Sequence, residues 1–267
     1  HLRVELGTPQ DGGWHATYDL FLPGSALFQA QIASAQARLR ARAAAIIGSA
    51  LLQGYQWPLV AAAVACYLID RRVPDLRQEN IRIHHNADGE ADGIAFVAGS
   101  FAALPDDSAA AHPDAAIVPG LTALRAVLRE GIEAHLGAII GRICAQLGCK
   151  PRGLWLNVAD SVAGNLAWLT QEHDKTVSME QIAADVDGVI RVAGSLLNTN
   201  QIGLFALTYR EQTQVHLDRA TCCYWYKTEG GAYCSTCPHR TPADRNERLL
   251  THMAEEYAQA STEQKGA

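Results

Sequence analysis

The stretch that decides the fold is residues 121–147, LTALRAVLREGIEAHLGAIIGRICAQL. Its apolar residues recur at steps of three and four, which places them along one face of an α-helix. Gly148 and Pro151 follow closely and predict where the helix ends, because glycine suits the left-handed C-cap and proline cannot continue the helix. The sequence therefore predicts a long amphipathic helix in the middle of the chain.

The residues that follow carry the same helical signal. A second helix is predicted from about Leu154 to Leu169, because apolar side chains recur there with helical spacing. A third is predicted to start at Ser178, where Ser-Met-Glu-Gln181 forms a capping box, and to carry apolar residues on one face as far as Ala193 and Leu197. Because the connections are short, we expect these three helices to pack antiparallel.

The upstream half mixes helices with a small β component. Residues 25–50 and 58–72 are rich in alanine and other apolar residues, with a helix break predicted at Gly54 and Pro58. Residues 80–85 and 93–97 flank the turn-like sequence Asn-Ala-Asp-Gly and predict a hairpin. Residues 100–116 have the composition of a surface loop. Period-two alternation predicts further strands within residues 2–6 and 14–22. Residues 204–217 alternate well enough for a strand or hairpin, with a helix as the alternative. The predicted fold class is α+β and mainly α-helical.

Composition limits the classes of protein that this chain could be. The chain has 267 residues, of which 48% are hydrophobic and 19% charged, as expected for a folded chain with a sizeable core. The net charge of −6 offers no general attraction for nucleic acid. The longest apolar run, residues 59–69, is far shorter than the ~20 residues that cross a bilayer. With no secretory signal visible, we expect a cytoplasmic protein without a transmembrane segment.

Four of the seven cysteines lie close together near the C-terminus, in the pattern C-C-x10-C-x2-C. They are Cys222, Cys223, Cys234 and Cys237. Four thiolates in so short a segment can converge on one tetrahedral-sulfur centre, which means zinc or an iron–sulfur cluster. The remaining three, Cys66, Cys144 and Cys149, lie in apolar helical contexts and are expected to be reduced core residues.

The adjacent pair, Cys222 and Cys223, favours iron but does not exclude zinc. Structural zinc sites usually take their ligands from C-x2–4-C turns, which point both sulfurs at one ion. Neighbouring residues direct their side chains apart, and a two-iron centre accommodates that divergence more easily. A chance cluster and a redox dithiol at Cys234 and Cys237 are further alternatives, although no thioredoxin-like βαβ pattern surrounds that pair.

The segment from Arg219 to Pro238 resembles the FhuF-type ferric siderophore reductases. The resemblance rests on Arg219-x-x-Cys222-Cys223, the aromatic residues that follow, the ten-residue spacing and Cys234-x-x-Cys237-Pro238, and it covers only about twenty residues. It implies that the four cysteines bind a [2Fe-2S] cluster. It also implies that the protein reduces cytoplasmic ferric hydroxamate siderophores, so that iron leaves as Fe(II).

The implied reaction needs an electron donor. The sequence contains neither G-x-G-x-x-G after a strand nor a Walker A motif, so no nicotinamide or ATP site is indicated. Electrons would therefore come from a separate ferredoxin or flavoprotein. Two alternatives remain. One is a binding protein whose C-terminal segment is held together by a structural zinc ion. The other is an iron–sulfur electron-transfer or sensor module whose partner is another protein.

Residues near the cysteines are candidates for contacts with substrate or donor. Arg219, Lys227 and Arg240 could attract a donor or offset cluster charge, Trp225 could contact a ligand, and His239 could accompany reduction with a proton. The aromatic residues are as readily explained by packing around the site.

The expected organisation has two parts. Residues 1–203 form the mainly helical body, which is the candidate siderophore-binding region. Residues 204–267 form the cluster-binding segment. A closing helix is predicted to start at Thr241-Pro242, where a capping hydroxyl precedes a proline at the first helical position, and to pack back on the body.

Overall fold

The computed structural model of the chain describes residues 2–174 and 177–266, with side chains up to residue 259. Within these residues the chain forms seven α-helices and three small sheets. The predicted α+β, mainly helical class is confirmed. None of the described helices combines the length and the apolar character needed to span a bilayer.

A single helix, α3 (Ala44–Asp70), runs through the core and passes without interruption through Pro58. The predicted break at Gly54 and Pro58 is therefore wrong. The chain breaks earlier, after α2 (Ala26–Leu39), where Arg40 takes a left-handed conformation. An internal proline costs a helix about 3 kcal/mol. Because sixteen residues of α3 are buried, Pro58 among them, the packing of this helix outweighs that cost.

Three further helices pack around α3. The helix α4 (Leu121–Leu147) has the predicted bounds, with Gly148 in the left-handed C-cap, and α5 (Pro151–His173) follows it. The helix α5 packs chiefly on α3, which also contacts α2 and α4. The sixth helix, α6 (Met179–Ile190), has the predicted capping box and contacts α4 and α5.

The prediction that the third amphipathic helix reaches Leu197 is wrong, because α6 ends at Ile190. Leu197 is nevertheless fully buried. The reason lies on α4, where the Glu133 carboxylate accepts hydrogen bonds from the Ser195 hydroxyl and the Leu196 backbone N–H. These bonds satisfy the backbone of a turn at the point where the apolar spacing alone suggested a continuing helix.

The predicted hairpin is present as β4 (Ile81–His85) and β5 (Ala91–Phe96). The side-chain oxygen of Asn86 accepts backbone N–H groups of Asp88 and Glu90 and so stabilises the turn. The strand β1 (Arg3–Leu6) pairs in parallel with β5, and β2 (Trp14–Ala16) pairs antiparallel with β4, completing a four-stranded sheet.

Two strand and loop predictions need correction. The strand predicted over residues 14–22 stops at Ala16, because α1 (Thr17–Leu20) turns Leu20 and Phe21 into the core. The predicted loop at residues 100–116 contains two short strands of a second, three-stranded sheet, and residues 101–103 form its central strand. The three strands of this sheet are β3 (Arg72–Pro74), β6 (Phe101–Ala103) and β7 (Ala115–Ile117). Three-residue strands are too short for period-two alternation to reveal.

The C-terminal part begins with the predicted hairpin, β8 (Gly203–Tyr209) and β9 (Gln212–Asp218). Gln171 of α5 holds β9, since its side chain both accepts from and donates to the backbone of Val215. The last helix, α7 (Pro242–Gly266), contacts β8 and buries Leu249 and Met253. The hairpin thus connects the helical body to the closing helix.

Candidate metal centre

The four clustered cysteines lie in the irregular segment between β9 and α7, and their sulfurs associate in two pairs. The Sγ atoms of Cys223 and Cys234 are 4.0 Å apart. Cys222 and Cys237 are buried, and burial, together with the nearby Cys237 sulfur, raises the pKa of Cys222. All four are free thiols. In the part of the chain that the structure describes, no three His, Cys, Asp or Glu side chains gather around one ion-sized point.

Special backbone conformations bring the two halves of the segment together. Tyr224, directly after the adjacent cysteines, is left-handed with φ of 58°, and its N–H donates to the Cys222 sulfur over 3.3 Å. Gly230 has φ of 69°, and a Cβ on Gly231 would lie 2.1 Å from the Trp225 carbonyl oxygen. The two glycines are therefore required by the turn that returns the chain to the second cysteine pair.

Hydrogen bonding and charge favour ionisation of one thiol. Pairing with the Cys234 sulfur, assisted by the Arg219 guanidinium, lowers the pKa of Cys223 to about 5. The same pairing raises the pKa of Cys234. Arg219 Nη1 lies 3.8 Å from the Cys234 sulfur. Because thiolates are the form that binds metal, the site is prepared for a cationic centre.

Asp160 of α5 ties this segment to the helical body, a role that the sequence analysis missed. Its side chain is 4% exposed and accepts the backbone N–H groups of Ala220 at 2.7 Å and of Thr221 at 2.8 Å. The Thr221 hydroxyl donates to the same carboxylate, and Arg219 Nε lies 3.6 Å away. The sequence does contain one sign of this role, because Asp160 is an acidic residue between the apolar positions 158 and 162 of a predicted helix.

An aromatic cap flanks the cysteines along the chain. We define it as Trp225, Tyr226, Tyr233 and His239. The rings of Tyr226 and Tyr233 are 4.8 Å apart, and His239 lies within 6 Å of both. Trp225 is 54% exposed and Tyr233 is 44% exposed, so the cap presents aromatic surface to solvent beside the sulfurs.

The charged candidates divide into buried and exposed residues. The Arg240 side chain is 9% exposed and donates to the backbone oxygens of Tyr233 and Cys234, so it supports the turn around the second pair. Arg219 is also turned inward, toward Asp160 and Cys234. Lys227 lies over the Tyr226 ring, and His239 is exposed at the edge of the cap. Of the five candidate contacts, Trp225, Lys227 and His239 remain accessible.

The residues present fit an iron–sulfur cluster. The donor set is four cysteine sulfurs, which is the ordinary ligand set of a [2Fe-2S] centre. The pKa of Cys223 is lowered, which favours its thiolate form. Arg219, beside Cys223 and Cys234, offsets part of the negative charge of four thiolates. The partial exposure of Cys223 and Cys234 leaves one edge of the site close to solvent.

The four cysteines provide the donor set of an iron–sulfur centre, and comparison with known families assigns the chain to a class of iron–sulfur oxidoreductases. Residues 219–239 match a family described as the FhuF 2Fe-2S C-terminal domain. Residues 49–188, more than half of the chain, match a family described as ferric iron reductase FhuF-like transporter. The chain belongs to this family of FhuF-like ferric iron reductases. A search of curated proteins gave no match.

Family membership decides between the alternatives for the metal. The matched C-terminal domain is described as a 2Fe-2S domain, so the hypothesis of a purely structural zinc site is rejected. The family matches confirm the expectation of a [2Fe-2S] cofactor in a ferric iron reductase.

Proposed function

We propose that this protein reduces ferric hydroxamate siderophores in the cytoplasm, one electron at a time, and so releases their iron as Fe(II). The observation that carries the proposal is a pair of half-buried cluster cysteines beside an exposed aromatic cap, in a chain of the ferric iron reductase family. Hydroxamate oxygens hold hard Fe(III) firmly and Fe(II) much less firmly, so a single electron is enough to loosen the complex.

Cys222, Cys223, Cys234 and Cys237 are the proposed cluster ligands. When bound there, the cluster supplies the one-electron redox chemistry. The protein contributes the surroundings of the site: Arg219 offsets ligand charge, Asp160 fixes the segment on α5, and Arg240 supports the second cysteine pair. These contacts would hold the ligands in one arrangement in both oxidation states.

The aromatic cap is the proposed docking face for the ferric chelate. Trp225 is two residues from Cys223, and Tyr233 immediately precedes Cys234, so a chelate resting on these rings would lie next to the cluster ligands. Exposed aromatic side chains bind large ligands at a low entropic cost because they have few rotatable bonds. His239, at the edge of the cap, is the proposed proton source during reduction.

The body also contributes to this face. Arg40, which follows α2, forms an ion pair of 2.7 Å with Glu229, in the loop between the cysteine pairs. We therefore propose that residues 1–203 form the body that shapes the siderophore site, and that residues 204–267 carry the cluster. The two matched families fall on either side of this boundary, which supports the division.

The test uses protein purified without oxygen and reduced with dithionite, after removal of excess reductant. Adding a ferric trihydroxamate should reoxidise the cluster, seen as the return of its visible absorbance, and should release Fe(II) to a colorimetric chelator. The gallium(III) complex of the same ligand is the matched control, because it has the same shape and charge but is not reduced. A Trp225→Ala variant should raise the substrate concentration needed for half-maximal rate.

A persistent reduced cluster in the presence of ferric hydroxamate would overturn the proposal. If an oxidised partner protein then accepted the electron, the alternative of an electron-transfer or sensor module would be supported instead.

A further inference from the structure

Two cysteines outside the cluster segment lie in direct contact. Cys144 is in the last turn of α4, and Cys149 follows the Gly148 C-cap. Their sulfurs are 3.1 Å apart, and both residues are half-buried. A disulfide bond is about 2.05 Å long, so a shift of about 1 Å would join the two sulfurs.

The surrounding structure keeps the sulfurs together. On the α3 side, the Cys149 sulfur would lie 3.2 Å from a Cβ placed on Gly48, so it packs closely against the backbone of α3. On the α4 side, the Gly148 N–H donates to the Cys144 carbonyl and closes the turn between the two cysteines. The pair therefore belongs to the rigid corner between α4 and α5.

We propose that Cys144 and Cys149 are a redox-active dithiol that converts reversibly to an intramolecular disulfide. The oxidant is a small-molecule disulfide such as oxidised glutathione. The Cys149 thiolate attacks one sulfur of the oxidised glutathione and expels the other glutathione as a thiolate. Cys149 and the first glutathione are then joined in a mixed disulfide. The Cys144 sulfur then loses its proton, attacks the Cys149 sulfur and expels this glutathione as well. The protein loses two electrons and two protons, and the oxidant gains them.

This assignment differs from the expectation that both residues are reduced core residues. Burial, together with the Cys149 sulfur, raises the pKa of Cys144 to about 12. Cys144 is therefore suited to the second step, in which its partner is already adjacent, and poorly suited to attack an external oxidant first.

Mass spectrometry tests the proposal directly on the cluster-containing protein. Trypsin cleaves after Arg142 and Arg152, since Lys150 precedes a proline, so both cysteines fall in the peptide 143–152. After treatment with oxidised glutathione and blocking of free thiols, this peptide should be lighter by two hydrogens and carry neither blocking group nor glutathione. A reductant should restore two reactive thiols. The Cys66→Ser variant is the control and should behave identically.

The Cys144→Ser variant makes the result decisive, because Cys149 should then accumulate a stable mixed disulfide with glutathione. If the unmutated protein instead keeps glutathione on Cys149, or if both thiols stay free under conditions that modify Cys149 in the variant, the proposal is wrong.

A second observation concerns the electron donor and rests on the proposed function. Three arginines in five residues follow one another at the end of α2, and all three are exposed: Arg38, Arg40 and Arg42. We call them the arginine patch. Arg40 pairs with Glu229 in the cluster loop, which places the patch beside the cluster segment. Among the described residues, Arg38 and Arg42 have no ion-pair partner.

We propose that the arginine patch is the docking surface for an acidic electron-donor protein. The chain as a whole has a net charge of −6, so an acidic donor would be repelled by most of its surface. A local group of cations beside the cluster would attract the donor to the position from which electron transfer is shortest.

The test measures cluster reduction without any siderophore, so that its outcome is independent of the substrate. An acidic plant-type ferredoxin serves as the donor and dithionite as the small reductant. Arg38→Glu and Arg42→Glu should each slow reduction by ferredoxin about threefold to tenfold at low salt, with little effect at high salt. Reduction by dithionite should be affected equally in these variants and in the control.

The control is Lys150→Glu, which makes the same change of charge at an exposed site outside the patch. Equal slowing in the control and the patch variants would show a general charge effect and overturn the proposal, as would ferredoxin rates that no variant changes.

Discussion

At the scale of single residues, the site depends on a few side chains with distinct tasks. Cys223 and Cys234 face each other, Arg219 supplies positive charge, and Asp160 holds the backbone at residues 220 and 221. The cysteines could be found from their spacing alone. Asp160 could not, because it lies about sixty residues earlier in an apolar helix, and only folding brings it to the segment.

Replacing any one of the four clustered cysteines with serine should remove or destabilise the cluster. Serine oxygen is a poor substitute for a thiolate, and each sulfur is one of only four donors. The measurements are visible absorbance and iron content after anaerobic purification. Cys66→Ser is the matched control, since Cys66 is a helical thiol of α3 outside the site. Loss of the cluster in Cys66→Ser with retention in Cys222→Ser would refute the ligand assignment.

Asp160→Asn should raise the reduction potential of the cluster by tens of millivolts. The substitution removes the negative charge that balances Arg219, so the arginine stabilises the more negative reduced state more strongly. It should also cost about 1–3 kcal/mol of stability, because the Ala220 and Thr221 N–H groups donate to different oxygens of Asp160, and the NH2 group of asparagine cannot accept one of them. A redox titration followed by absorbance gives the potential.

Asp187→Asn is the control for this experiment, because Asp187 forms an exposed ion pair with Arg191 on α6. An identical potential in Asp160→Asn and the unmutated protein would mean that Asp160 acts only as a structural anchor.

At the scale of elements, the β8–β9 hairpin and α7 hold the cluster segment between them. The hairpin is bound to α5 through Gln171, and Arg245 of α7 contacts both Asp218 and the Phe205 ring. The segment therefore has an ordered element at each end. Its own interior is irregular, which is common for ligand-bearing loops.

Met253→Ala should weaken the packing of α7 on the β8–β9 hairpin. Met253 is 1% exposed, and truncating a buried methionine costs about 2–5 kcal/mol. Because α7 follows the second cysteine pair directly, we expect faster loss of iron to a strong chelator, measured as the decay of visible absorbance. Met179→Ala, at a methionine that is 37% exposed, should leave the decay unchanged. Equal decay in both variants would show that α7 does not protect the cluster.

At the scale of the whole molecule, one continuous apolar core is crossed by a chain of buried polar groups. The Tyr55 hydroxyl lies 2.6 Å from both the Thr17 hydroxyl and His135 Nε2, and His135 Nδ1 faces the Leu76 carbonyl oxygen. These bonds join α1, α3 and α4 and the stretch after β3. Burial lowers the pKa of His135 to about 4.

This histidine makes stability depend on pH. In the unfolded chain its pKa is about 6.5, so between pH 6.5 and 4 the unfolded state binds a proton that the folded state does not. The free energy of unfolding should therefore fall as the pH falls through this window, by up to about 3 kcal/mol from His135. Urea unfolding at several pH values measures the slope.

His135→Gln should reduce that slope, since glutamine does not titrate. Part of the slope should remain, because burial also lowers the pKa of His85 and His216. An unchanged slope in the variant would show that the pKa of His135 is the same in the folded and unfolded states.

The sequence by itself determined the features that depend on local spacing. These are the bounds of α4, the capping box of α6, the β4–β5 hairpin and the four cysteines with the family that their spacing implies. Each rests on residues within about one helix or one turn of one another, where backbone geometry is a strong constraint.

The tertiary structure decided what depends on contacts between distant parts of the chain. The helix α3 continues through Pro58, because the free energy gained by burying its side chains exceeds the cost of one internal proline. The tertiary structure ended α6 early, because Glu133 binds the turn that follows. It also placed Asp160 against the cluster segment and Gly48 of α3 against Cys149. Burial and pairing energies arise only after the chain has folded, and for that reason no local pattern could specify them.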